Sequence, residues 1–161
     1  MLPRFFLLFA LLCGPLSAQP SEPTHIVDEH ILPGYLALQK ASHNLAEAGC
    51  DPSKQALISP FHNAFDAWVG VAHLRFGPSE KSERAFALAF WPDGRGATPK
   101  TLSALLNARD PAVDSAEQFA AVSIAGRGFY ALEILLFDQR LSQMGEDAYR
   151  CALITAITAD I

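Results

Sequence analysis

Ile31-Leu32-Pro33-Gly34-Tyr35-Leu36-Ala37-Leu38-Gln39-Lys40-Ala41-Ser42-His43-Asn44-Leu45-Ala46-Glu47-Ala48 carries the pattern that decides the fold. Ile31, Leu32, Tyr35, Leu38, Ala41, Leu45 and Ala48 recur at intervals of three and four, which winds into one apolar stripe on an α-helix. The pattern predicts a helix from about His25 to Ala48, with Pro33 kinking its first turn or splitting off a short piece. Gly49 ends it, and Cys50 follows.

Working downstream, Asp51-Pro52 supplies an N-cap and a first-position proline for a second helix running to about Phe76. Pro60 marks a kink in it, and Phe61, Phe65, Trp68, Val69, Ala72 and Phe76 form its core face. Gly77-Pro78-Ser79 stops that helix, and Ser79 caps a short one from Glu80 to Phe90. Trp91-Pro92-Asp93-Gly94-Arg95-Gly96 is turn chemistry. Thr98 caps another short helix through Leu106, and a loop follows around Asp110-Pro111. A helix from Ser115 to Phe137 is interrupted near Gly126 and Gly128. The last begins near Asp147 and is still running at Ile161, with no glycine or cap before the stop, so the chain reads as truncated, half of a larger protein. Strand-like alternation is missing throughout. The fold class is all-α, a bundle of antiparallel helices.

Working upstream, Arg4 precedes the apolar run Phe5–Leu12, the breakers Gly14 and Pro15, and the small residues Ser17 and Ala18. These are the three parts of a secretory signal peptide, residues 1–18, cut after Ala18. The run is shorter than the roughly 20 residues that span a bilayer. Residues 19–24 read as a flexible leader, and 25–161 as the helical domain, which contains no apolar run long enough for a membrane span. Of 161 residues, 50% are hydrophobic, which suffices for a core. The net charge of −5 becomes −6 when Arg4 is removed, and no basic patch appears, which excludes nucleic acid as a partner. With Cys13 leaving in the signal, Cys50 and Cys151 remain in an oxidising compartment, where the pair reads as one disulfide or else as two separate buried thiols.

Residues with chemistry are few. His62, Asp66 and His73 share a helix face, but His62 and His73 stand about 16 Å apart along the axis, so only His62 with Asp66 has chelating spacing. The alternative is a polar stripe on a solvated face. His25 and His30 lie near the first helix start, and His43 falls on a solvated side. Arg75 either complements the dipole of a helix end or reaches from a pocket toward an anion. Glu133, in the apolar stretch Phe129–Phe137, is either the one exposed stripe or a buried carboxylate that must be paired, protonated or metal-bound. No nucleophile with its base is specified, which argues against an active hydrolase.

Ala67-Trp68, Leu74-Arg75-Phe76-Gly77-Pro78, Phe90-Trp91-Pro92-Asp93-Gly94-Arg95-Gly96 and Gly128-Phe129-Tyr130-Ala131-Leu132-Glu133-Ile134-Leu135-Leu136-Phe137 follow one order and spacing. In these segments the chain resembles imelysin-like proteins over most of its length. The resemblance implies an exported, all-helical protein of two bundles, of which this chain is the first. It implies a link to bacterial iron or haem acquisition, and a founding member classed as a metallopeptidase. The family signature Gly-x-His-x-x-Glu, proposed to bind metal, reads here Gly128-x-Tyr130-x-x-Glu133. A neutral phenol is a poor ligand for divalent ions, whereas phenolate binds ferric iron. The resemblance therefore leads to a non-enzymatic periplasmic protein that binds iron, haem or an envelope protein partner. Its pocket would lie near Arg75, Trp91, Tyr130 and Glu133, with Glu133, and more weakly His62 and Asp66, as metal candidates. The alternatives are a metallopeptidase-like enzyme with a degenerate site, and a truncated remnant without ligand.

Overall fold

The computed structural model describes residues 23–50 and 53–161. The signal peptide and its cut after Ala18, most of the leader, and the Asp51-Pro52 cap lie outside the described residues.

Every regular element described is helical. One turn, Pro23–Ile26, leads through a π-helical turn, Val27–Ile31, into α1, Leu32–Glu47. Pro33 explains the break. It has no N–H to give the carbonyl of Glu29, and its ring crowds that carbonyl. The backbone widens instead, and the Leu32 N–H reaches five residues back to Val27 O.

The next helix, α2, spans Gln55–Val71 and runs on through Pro60. It starts later than Asp51-Pro52 suggests because Lys54, at φ 56°, holds the chain out of helix until Gln55. It also stops short of Phe76. Beyond Val71 the Leu74 carbonyl accepts from the Tyr35 hydroxyl at 3.2 Å and from Ser79 Oγ at 3.1 Å, and Phe76 is extended. The core stripe of α2 is Leu57, Phe61, Ala64, Trp68 and Val71. Val69, one residue off that stripe, is 57% exposed, and Phe76, beyond the helix, 54% exposed. Neither belongs to the core face that the sequence pattern gives them. The start of α1 meets the end of α2, so the two are antiparallel. Gly34 makes the approach possible, since a Cβ there would come within 2.6 Å of Val71 Cγ1.

A 3₁₀ segment, Gly77–Glu83, precedes α3, Arg84–Leu88. After the turn at 91–96 comes α4, Ala97–Ala108. Its cap is Asp93 rather than Thr98: Asp93 Oδ1 accepts from the Ala97 N–H at 2.6 Å and Oδ2 from the Thr98 N–H at 2.8 Å. Those amides hold the Asp93 carboxyl below its usual pKa, Thr98 contributing most. The helix expected from Ser115 to Phe137 is two helices, α5, Ala116–Ala120, and α6, Gly128–Phe137, joined through a 3₁₀ turn at Ile124–Gly126. The last, α7, covers Asp147–Asp160.

Packing centres on α6. Phe129, Ala131, Leu132 and Leu135 are fully buried. The Phe129 ring meets Phe65 and Phe61 edge-on at 5.5 and 6.4 Å and stacks on Trp68 at 6.5 Å. Leu153, Ile154 and Ile157 of α7 close the other side of the core. Cys50 and Cys151 form a disulfide, with Cα atoms 5.3 Å apart, that fastens the segment after α1 to α7. None of the described helices is long and apolar enough to cross a membrane.

Candidate functional site

Gly128 opens α6 at φ +70°, and a Cβ on it would lie 2.3 Å from Ala87 O and 2.4 Å from Leu88 O. The glycine of the signature is thus a packing necessity. It lets α6 begin directly against the end of α3. From that anchored start the helix pitch sorts the remaining positions. Phe129, Leu132 and Leu135 turn inward, while Tyr130, Glu133 and Phe137 fall on the outer side.

Tyr130 is half-buried and its ring meets Phe65 of α2 edge-on at 5.9 Å. Glu133 is exposed one turn along the same face. Phe137, 45% exposed, ends the stripe and stacks flat against His62 of α2, with centroids 6.0 Å apart and planes 10° from parallel. Asp66 is exposed on α2 one turn beyond His62. Ring contacts thus join Tyr130 to Phe65 and His62 to Phe137 across the α2–α6 seam, which the sequence gives only as separate motifs. Among the described residues no group of three His, Cys, Asp or Glu side chains is placed to hold an ion.

Arg75 and Trp91 lie in turns. Arg75 Nε donates to Glu80 Oε1 at 2.8 Å, both side chains about half-exposed, so its partner is local. Trp91 is 69% exposed beside a cis Trp91–Pro92 bond. His73 is in the turn after α2 rather than on its face, and its Nε2 meets His30 Nε2. His25 pairs with Glu29 and His43 with Glu47, each one turn along and exposed.

A cleft of about 620 Å³ opens elsewhere, between α5 and α7, with Arg84, Phe119, Thr155 and Asp160 among its walls. None of Arg75, Trp91, Tyr130 and Glu133 lines it. Beside it, Arg127 grips Asp160 with two bonds, Nε to Oδ2 at 3.0 Å and Nη2 to Oδ1 at 2.7 Å. Arg84 approaches the same carboxylate at 3.5 Å and donates to the backbone carbonyls of Asp160 and Ile161. Both arginines thus gather, from distant sequence, at the C-terminal end of α7, where cations complement the helix dipole. Sequence reasoning missed them because each is an isolated charge until the chain folds. Buried Arg150 donates to Met144 O at 2.8 Å and to Asp147, again locally. Tyr149 donates to Asp110 O at 2.8 Å, and burial, helped by the Asp110 charge, pushes its hydroxyl pKa up.

The imelysin family model matches residues 31–161. No curated protein sequence matches the chain. A crystal structure of an imelysin-like protein from Psychrobacter arcticum 273-4 superposes with a TM-score of 0.72 at 24% identity, covering 85% of this chain and 44% of that one. The likeness shows a common fold, and the chain spans less than half of that relative's length. With the family model running from the residue before α1 to the residue after α7, the chain belongs to the imelysin family.

Proposed function

We propose that this chain is an exported, non-enzymatic imelysin-like protein of the bacterial envelope, periplasmic in location, that binds iron as ferric ion or haem. The observation that carries the reading is the outer face of α6. Tyr130 stands where the family signature has histidine, one helical turn from Glu133, with its ring edge-on against Phe65. A phenolate and a carboxylate are hard oxygen donors, which suit ferric iron, and tyrosinate also serves as an axial ligand to haem iron. The aromatic rings of Phe65 and Phe137 on this side of α6 suit contact with an apolar macrocycle.

The same donors fit a divalent hydrolytic centre poorly, because two or three imidazole and carboxylate ligands around one ion are what such a centre requires. Arg75 and Trp91 enter this proposal as exposed turn residues, Trp91 open to a partner protein and Arg75 paired with Glu80. Titrating the purified chain with hemin and with ferric citrate tests the reading. Saturable binding, weakened about tenfold or more by Tyr130→Phe and less by Glu133→Gln, is expected for a ligand-forming tyrosine. Equal binding by Tyr130→Phe removes the phenolate from the account.

A further inference from the structure

His30 and His73 lie 43 residues apart in sequence, yet their Nε2 atoms face each other at 3.2 Å. Their ring centroids are 5.3 Å apart and their planes tilt by 32°. Both side chains are exposed. We propose that this pair is a second metal site, an open bis-imidazole seat for a borderline divalent ion such as zinc, nickel or copper(II), separate from Tyr130 and Glu133.

The separations match those of two imidazole ligands on one ion. Zinc–nitrogen bonds of about 2.05 Å at a tetrahedral angle put the two nitrogens about 3.3 Å apart and the ring centres about 5.2 Å apart. Both separations are already present in the protein. Without metal, one imidazole donates to the other, and that hydrogen bond holds the two nitrogens at the bite an ion needs.

The backbone positions both rings. His30 sits inside the π-helical turn Val27–Ile31 that Pro33 opens. His73 sits in the turn that ends α2, where Tyr35 fixes the Leu74 carbonyl. Each imidazole thus comes from a break between helices, and an ion would tie the two breaks together.

Imidazole selects zinc, copper and nickel over magnesium or calcium. No third His, Cys, Asp or Glu completes a group of three among the described residues, so water fills the other positions. Such a site exchanges its ion freely, and it fills only when free metal is abundant.

Nickel and zinc chlorides are the probes, followed by calorimetric titration and thermal melts of the full chain. The variants are His30→Ala, His73→Ala, the double variant, and His43→Ala as an exposed control. One ion per chain is expected, with a metal-dependent rise in melting temperature. Either site variant should weaken binding about tenfold or more and abolish the rise. The double variant should be no worse than the singles, and His43→Ala should match the parent. Metal-free melts of the site variants should stay close to the parent, because both rings are exposed. No saturable binding by the parent overturns the proposal, as does parent-like binding by either site variant or an equal loss in His43→Ala.

Discussion

Single residues show which parts of the family motifs are architectural. Gly128 combines a left-handed backbone with a contact that no side chain can enter. Gly128→Ala should therefore destabilise by about 3 kcal/mol, from left-handed strain and overpacking together, read as a lower urea midpoint. Asp93 does similar work for α4. Its carboxyl pKa is depressed in the folded state, so its stabilising effect is complete above the ordinary aspartate value of about 3.9 and is lost as pH falls through the folded value. The melting temperature should fall in acid, and Asp93→Ala should lower it by a few degrees at neutral pH while flattening the acid slope. An unchanged acid slope in Asp93→Ala would remove the capping argument. That Asp93 sits in a turn was legible from Trp91-Pro92-Asp93-Gly94. That its carboxylate spans forward to Ala97 and Thr98 was not, because a cap four and five residues away depends on how the turn closes.

At the scale of the element, periodicity gave the helices and missed their ends. The stripe from Ile31 to Leu45 placed α1 correctly, and Gly126 and Gly128 located the break before α6. Phe76 was misplaced because α2 stops at Val71, and what stops it is tertiary, with Tyr35 holding the Leu74 carbonyl, whereas Val69, inside α2, falls one residue off the buried stripe. The His30–His73 pair was invisible for the same reason, since helical spacing relates residues within one helix only. α6 is where packing and candidate chemistry coincide. Leu132 is fully buried on its inner side, so Leu132→Ala should cost about 2–5 kcal/mol in urea unfolding. Tyr130→Phe, on the outer side, should leave the urea midpoint nearly unchanged. A large loss from Tyr130→Phe would mean that this tyrosine serves the core and not a ligand.

Over the whole molecule, the sequence announced the fold class and the cysteine pair, and the structure adds what the pair joins. The Cys50–Cys151 bond closes a loop of 101 residues between α1 and α7. Replacing both cysteines with serine should cost about 5 kcal/mol by the loop-entropy account while helix content, read by circular dichroism, persists. The candidate surface was only half legible. Tyr130 and Glu133 could be read from the signature, but Phe65 meets Tyr130, and His62 meets Phe137, only once α2 packs on α6. The proposed function rests on that junction, and above all on tyrosine where the family has histidine. Its most direct test is the visible absorption spectrum of the chain loaded with ferric iron or hemin, beside that of Tyr130→Phe. A tyrosinate-to-iron charge-transfer band in the parent that vanishes in Tyr130→Phe is the predicted result. A parent without the band, or a variant that keeps it, would contradict the account.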